Sequence, residues 1–392
     1  MLKNLSIRDF RNLRHLDLAD LAVINIFWGS NGAGKTSVLE GIHCLATSRS
    51  FRTRKFGALV AADADQLLLF GRYQSAETAS DEEKAAHLSR IGIQRQRSGD
   101  PVIKHNGERI HRLSELSQLF PVLVMNSDSF EMVLGGPARR RQLIDWCLFH
   151  VKHQAFFPVW QRYQRVLKQR NDALRRAKMG GSREPLAPWD EQLIVLGTEL
   201  DALRQEQMEA LSRAFKEVLI DLRTLFRGKD GGLLPDLALS YSNGFARYNS
   251  FQEAVNEERE ADIKAGVTRY GPHRADMLFS CAGRPASEIL SRGQLKTVVS
   301  GLAIAQLRLL REVKPNQVVW CLLDDIPAEL DADHRHALMR CILREQPGVQ
   351  LFLTSIDNNG FETDFSDQDC RMFHVKQGNI KEETTSTGVI DS

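Results

Sequence analysis

Apolar residues recur along this chain with two different periods. Residues 21–28 form an apolar run of strand length, and Ser37-Val38-Leu39-Glu40-Gly41-Ile42 continues with helical spacing, so a buried strand should lead through residues 29–36 into a helix. Leu67-Leu68-Leu69-Phe70 and Ile91-Gly92-Ile93 are also strand-like, and Asn106-Gly107 between Val102-Ile103 and Ile110 predicts a hairpin with a tight turn. From about residue 137 the period becomes helical. Trp160, Tyr163, Leu167 and Leu174 share one face, Gly180-Gly181-Ser182 and the prolines at 185 and 188 interrupt it, and Leu193, Leu196, Leu200, Leu203, Leu211, Val218, Leu222 and Leu225 resume it. These two runs predict an antiparallel helical hairpin. Its second helix, residues 190–227, would be on the order of 55 Å long.

The polar stretch 80–86 reads as a loop or short helix, 228–235 as a loop, 237–241 as a strand and 250–265 as an acidic helix. Val298, Leu302, Ile304, Leu307 and Leu310 then mark another apolar-periodic helix. Shortly after it, Val318-Val319-Trp320-Cys321-Leu322-Leu323 is apolar throughout, as a central parallel strand covered on both faces should be. Residues 379–392 are polar, lack periodicity and predict a disordered tail.

The chemistry lies where these elements end. Gly29-Ser30-Asn31-Gly32-Ala33-Gly34-Lys35-Thr36 fits G-x4-G-K-[ST] between a strand and a helix, the surroundings a phosphate loop needs. Its glycines let backbone N–H groups turn toward phosphate oxygens, the helix N-terminus adds positive potential, Lys35 reaches the β and γ phosphates, and Thr36 can ligate Mg²⁺. Residues 29–36 with Ser37 are thus the expected nucleotide contacts. Asp324 and Asp325 end the later apolar strand, where Asp324 suits Mg²⁺ and Asp325 suits positioning or deprotonating the attacking water. A helix cap is the bland alternative for this pair. Ser291-Arg292-Gly293-Gln294 opens the periodic helix, and a serine with a backbone-exposing glycine at a helix N-terminus forms an anion site. Lys35 and Ser291 are 256 positions apart, so something large is inserted.

The order phosphate loop, Ser-x-Gly-Gln, Asp-Asp strand end and Ala328-Glu329-Leu330-Asp331 resembles ABC-type ATPases of the SMC and RecF kind. Residues 7–13, residues 48–53, Asp128-Ser129-Phe130 with Gly135-Gly136-Pro137, Arg139-Arg140-Arg141 and Asp145-Trp146, residues 270–276 and Phe373-His374-Val375 narrow the likeness to the RecF family, over residues 2 to 378. The resemblance implies an α/β ABC-type ATPase head built from residues 1–130 and 267–378, with 131–266 an inserted, mainly helical arm. It also implies ATP and Mg²⁺ as cofactors, held between two protomers, with Ser291, Gly293 and Gln294 of one facing the γ-phosphate on the other and Lys35, Asp325 and Ser291 serving catalysis. Asp331 would touch the opposite protomer's site. Three departures matter. Ala328 and Pro327 stand where relatives commonly carry a serine and its neighbour, Leu123 stands where a glutamine is expected, and Thr354 or Ser355 stands where transporter ATPases carry histidine. Slow, weak hydrolysis follows.

Composition changes the picture only locally. At 392 residues, 42% hydrophobic and 26% charged, the chain suits an ordinary soluble protein of two domains. Charges at Lys3, Arg8, Asp9 and Arg11 argue against a secretory signal, and no apolar run approaches membrane-spanning length. The scattered cysteines form no Cys-x-x-Cys pair, arguing for reduced thiols in the cytoplasm and against relatives that carry a zinc hook. Net charge is only +2, yet residues 139–178 hold eleven Lys/Arg against Asp145 and Asp172. Arg162, Arg165, Lys168, Arg175 and Arg176 fall opposite the apolar face, a stripe suited to duplex phosphates without sequence reading. Pairing with Glu199, Asp201, Glu206 and Glu209 is the solvated-face alternative. Arg52 could touch nucleotide or simply sit at the surface, and His273 with Arg274 reads as structural.

The resemblance then implies an ATP-dependent homodimer that binds duplex or gapped DNA, hydrolyses ATP weakly with DNA stimulation, and helps load recombinase at single-strand gaps with RecO and RecR. The alternative is an ABC-type ATPase subunit serving a membrane or chromosome-organising complex.

Overall fold

The computed structural model describes residues 1–74, 88–180, 186–225, 235–325, 332–357, 365 and 368–383. The chain divides into two compact units, Met1–Ser129 with Lys314–Ser392, and Phe130–Val313.

The first unit holds two six-stranded sheets around one helix. Strands β1 (Leu2–Phe10), β2 (Leu13–Leu18), β4 (Gln66–Tyr73), β5 (Ser89–Gln96), β6 (Val102–His105) and β7 (Glu108–Ile110) form an antiparallel sheet in the order β2-β1-β4-β5-β6-β7. Leu67, Leu69, Ile91, Ile93 and Ile103 alternate inward from it, the period-two pattern of a sheet with one wet face. The predicted hairpin joins β6 to β7, with Asn106 (φ 50°) and Gly107 (φ 94°) both left-handed as a primed turn requires.

The other sheet comprises β3 (Ile24–Trp28), β8 (Val122–Met125), β12 (Val319–Leu323), β13 (Val349–Ser355), β14 (Cys370–Lys376) and β15 (Asn379–Glu383), in the order β15-β14-β3-β13-β12-β8. Every residue of β12 and β13 is buried, which is why their sequences show no alternation. Helix α1 (Lys35–Thr47) lies in the core, where Val38, Leu39, Ile42 and Leu45 join Leu5, Ile7, Leu67 and Ile91 of one sheet and Phe27, Leu322, Phe352 and Phe373 of the other. Short helix α2 (Leu113–Leu119) leads into β8, and α9 (Ala332–Leu343) lies between β12 and β13 in the chain.

Strand β15 corrects the expectation of a tail beginning at 379. Its residues pair antiparallel with β14 through a turn at Gln377 (φ 50°) and Gly378 (φ 79°). An edge strand needs few apolar residues, and here only Ile380 packs on the core. Residues 384–392 lie outside the described residues, as does the predicted polar stretch at 80–86.

The second unit contains α3 (Pro137–Val151), α4 (His153–Lys178), α5 (Ala187–Leu225), β9 (Leu237–Ser242), α6 (Phe251–Glu257), α7 (Arg259–Ala265), β10 (Asp276–Cys281), β11 (Arg284–Pro285) and α8 (Arg292–Val313). Helices α4 and α5 are the predicted hairpin, and α5, at 39 residues, spans about 58 Å. The acidic helix is broken in two at Glu258, its start capped by the Ser250 hydroxyl accepting from Glu253 N at 3.1 Å.

The return point differs from the expected residue 267. Residues 267–313 stay with the arm because β10 pairs with β9, Met277 opposite Tyr241, and Gly301 of α8 lies against Phe215, Leu219 and Leu222 of α5. Charge is also spent internally. Arg170, one of the eleven Lys/Arg counted over residues 139–178, is fully buried and donates to Asp190 and Asp262 at 2.7 Å each and to Thr268 at 2.8 Å, so it ties α4 to α5 and α7 and adds nothing to the surface charge. Arg204 forms a bidentate pair with Asp145, and Arg140 another with Asp276.

Candidate nucleotide-binding site

Strand β3 delivers the chain into a loop whose shape demands glycine at two positions. Gly29 has φ 149°, and a Cβ there would lie 2.3 Å from the Val375 carbonyl oxygen. Gly34 has φ 116°, and a Cβ there would lie 2.8 Å from Asn12 Nδ2. Gly29 N donates to Ser355 O at 3.2 Å and Gly378 N to Ala33 O at 2.8 Å, so β13 and the β14–β15 turn brace the loop. Lys35 is buried, and its Nζ donates to the carbonyls of Gly29 (2.7 Å) and Ser30 (3.1 Å). The ammonium is thus held over the loop by groups that a phosphate oxygen can replace. Ser37 donates its hydroxyl to Asn12 Oδ1 at 2.8 Å, spending that donor on the loop's support.

Across the sheet, β13 lies between β3 and β12 and supplies the link. Thr36 Oγ1 donates to Asp324 Oδ1 at 2.9 Å, Thr354 Oγ1 donates to the same oxygen at 3.0 Å, and Asp325 N donates to Thr354 Oγ1 at 2.8 Å. Asp325 is left-handed (φ 57°), a conformation uncommon for a residue with a side chain. Burial pushes the Asp324 carboxyl above its ordinary range and the neighbouring Asp325 charge adds to this, against the lowering effect of the two hydroxyl donors. A carboxylate that dislikes its own charge, beside a hydroxyl oxygen, is a fitting donor set for a hard divalent cation. Among the described residues no cluster of three His, Cys, Asp or Glu side chains could hold a metal by itself, so Mg²⁺ here would also need oxygens from phosphate or water.

Beneath the loop, Glu40 is fully buried and receives Arg11 bidentately at 2.8 and 3.0 Å together with the Ser50 hydroxyl. Arg52 lies 3.9 Å from Glu40 with half its side chain exposed, and its charge favours ionised Asp324. It is a neighbour of the site.

In the second unit, Ser291 and Gln294 form a capping box. Ser291 N donates to Gln294 Oε1 at 2.9 Å and Gln294 N to Ser291 Oγ at 3.3 Å. Ser291 and Gly293 are exposed, and a Cβ on Gly293 would meet nothing within 4 Å. Arg162, Arg165, Lys168, Arg175 and Arg176 are likewise exposed on α4, with Arg175 contacting Asp172. Of the α5 acids weighed as partners, Glu206 pairs with Lys152 and Asp201 accepts from the Tyr241 hydroxyl. His273 is wedged between the Tyr163 hydroxyl (2.8 Å) and Thr268 O (3.0 Å), and burial pushes its pKa down to about 4, so it is a packing element. Pro327, Ala328 and Asp331 lie outside the described residues.

Thr354 is the site residue that sequence reasoning passed over. It appeared only as the residue standing in for a histidine, although its position at the end of an apolar strand beside the Asp-Asp strand was available as a signal.

The family model for the RecF/RecN/SMC N terminal domain matches residues 1–381. A DNA replication and repair protein RecF of Pseudomonas paraeruginosa is 38% identical over 388 residues, covering 98% of both chains, and that of Shewanella amazonensis is 38% identical over 381. The chain belongs to the RecF family. Its fold is similar to that of a solved RecF–ATP structure of the RecFOR pathway, a recombination mediator protein, with TM-score 0.81, 24% identity and 97% of each chain covered. An Smc head bound to the C-winged helix domain of ScpA shares the fold more distantly, with TM-score 0.56 and 15% identity. This RecF family member therefore has the mixed α/β ATPase head fold of that class.

Proposed function

We propose that the protein is an ATP-dependent DNA-binding protein of recombinational repair, which dimerises on ATP, binds duplex or gapped DNA, and helps load recombinase at single-strand gaps with RecO and RecR partners. The observation that carries this is the bond between Thr36 and Asp324, which assembles phosphate loop and acidic strand into one cation-ready pair. Lys35, the loop amides and Thr36 would hold the nucleotide phosphates, and Thr36 with Asp324 the Mg²⁺. Bound Mg·ATP supplies the negative charge that two protomers share and the phosphoanhydride whose hydrolysis ends that sharing. Ser291 and Gly293, open at the N-terminus of α8, present an anion site to a second protomer's nucleotide. Asp325 would orient or deprotonate water, and Thr354 in place of histidine suits a weak ATPase stimulated by DNA. The stripe on α4 would meet duplex phosphates without reading sequence. Because both ligands favour the closed dimer, ATP tightens DNA binding and DNA tightens ATP binding equally. Among the described residues no helix is long and apolar enough to cross a membrane, and the cytoplasm suits a DNA-bound role.

Sedimentation with and without ATP tests the dimer. Lys35→Arg and Ser291→Arg should each abolish the ATP-dependent dimer, and unaltered dimers in both would refute the shared site. Reversing Arg162, Arg165 and Lys168 should weaken duplex binding and lower its salt slope by about 3 without loss of ATP binding. Unchanged affinity at several salt concentrations would remove the stripe.

A further inference from the structure

We propose that the outward face of the antiparallel sheet binds single-stranded DNA, its cations taking phosphates and Phe70 stacking on a base. The proposal rests on the DNA-binding reading above but uses a different surface. Strand pairing fixes which residues share that face: Asn4, Ser6 and Arg8 of β1 lie beside Arg72, Phe70 and Leu68 of β4, which lie beside Arg90, Gly92 and Gln94 of β5. Lys104 of β6 continues the row from Gly92, and Arg109 of β7 lies opposite Lys104.

Two features make this more than a wet face. Arg72 sits directly opposite Arg90 and Lys104 directly opposite Arg109, and like charges so placed are mutually destabilising unless an anion lies between them. All four are exposed, and among the described residues none of them has a carboxylate within ion-pairing distance; only Arg8 does, with Asp17. Phe70, one row from the Arg72–Arg90 pair and in the row that ends at Lys104 and Arg109, is 36% exposed, and Leu68, in the next row beside Arg8, is 40% exposed. Ser6 and Gly92 flank Phe70, so its ring has small neighbours on both sides in the row. Phosphate-binding cations around an exposed aromatic ring are the composition of a single-strand platform, since every base has a face to stack while a duplex keeps its bases covered. Residues 75–87, which join β4 to β5, hold four acids in sequence, Glu77, Asp81, Glu82 and Glu83, and one lysine, Lys84. They are the competing anion within the chain, and the test separates the two.

The full-length protein, its Arg72→Gln/Arg90→Gln and Lys104→Gln/Arg109→Gln double variants, and Phe70→Ala are compared by fluorescence anisotropy with labelled oligothymidylate, with duplex of equal length, and with poly-glutamate as competitor. Thermal unfolding of each variant is recorded alongside. Each double variant should bind oligothymidylate about tenfold more weakly and melt no lower than the parent, because a like-charge pair has been relieved. Phe70→Ala should lose about fivefold or more on oligothymidylate and less than twofold on duplex. Unchanged oligothymidylate binding with a lowered melting temperature would mean that the acidic segment neutralises the face in cis, overturning the proposal. Equal competition by poly-glutamate and oligothymidylate, with no effect of Phe70→Ala, would also overturn it. Duplex binding by the α4 stripe is read in the same titrations, so failure of this face leaves the other result standing.

Discussion

The Thr36 hydroxyl donates to the Asp324 carboxylate across 2.9 Å, closing a gap of 288 positions in the sequence. That single contact turns two separate motifs into one oxygen-lined corner. Asp324 bears the cost, since burial raises its pKa and a raised carboxyl pKa means that the folded state resists ionisation. The penalty is absent below the unfolded pKa and fully present above the raised one, so it operates at neutral pH.

Asp324→Asn should therefore raise the melting temperature of the nucleotide-free protein at pH 7.5 by about 1–2 °C while removing Mg²⁺-dependent ATP binding. Calorimetry and nucleotide titration with and without Mg²⁺ check both halves. A stability gain without the binding loss would detach Asp324 from the metal.

Thr354→Val removes a fully buried hydroxyl that accepts from Asp325 N and donates to Asp324, leaving the Asp325 amide without that acceptor and Asp324 with one hydroxyl donor fewer. A loss of about 1–3 kcal/mol in urea unfolding is expected, together with ATPase activity reduced at least tenfold. Thr354→Ser should restore most of both, because the hydroxyl alone makes the contacts.

Two glycines should fail in different ways. Gly29→Ala drives a Cβ into the Val375 carbonyl and should destabilise the protein by about 2 kcal/mol or more, with ATP binding lost. Gly293→Ala meets nothing in its own protomer and should fold normally, yet weaken ATP-dependent dimerisation about tenfold if another chain seats on that helix end. Equilibrium sedimentation beside thermal melts separates these outcomes.

Acid should destabilise the protein before its carboxylates titrate. Burial lowers the pKa values of His43 and His273 to about 4, so both are neutral in the folded protein, and the stability this carries, complete above pH 6.5, is lost as pH falls toward 4. The expected loss is on the order of 1–2 kcal/mol for each residue over that window. His273→Gln should flatten the urea-midpoint profile between pH 6.5 and 4.5, and an unchanged slope would show that the ring is not buried neutral.

Local rules carried the reading of the sequence wherever one element decides the outcome. The phosphate loop, the Asn106-Gly107 hairpin, the helical hairpin and the all-buried β12 are each specified by residues within one or two turns or strands. What failed depended on distant partners. The chain stays with the arm past residue 267 because β9 offers β10 an edge and α5 offers α8 a face, and no local signal marks either. The strand at 379–383 is polar because it is an edge, and so it read as tail. Arg170 counted toward a basic surface on charge alone, whereas Asp190 and Asp262 draw it inward. Thr354 likewise acquires meaning only when β13 is inserted between the strands that carry Thr36 and Asp324.

The position of β3 in its sheet has a consequence for biosynthesis. Its hydrogen-bonded neighbours are β13 and β14, which begin at Val349 and Cys370, so the strand that leads into the phosphate loop leaves the ribosome long before the two strands that flank it. Most of the chain must emerge before that loop has walls, and its contacts are among the most distant in sequence that the protein makes. Translation that stops short of β14 leaves a chain carrying the whole G-x4-G-K-T motif and no site. Nucleotide affinity in this protein thus also reports that synthesis has passed β14.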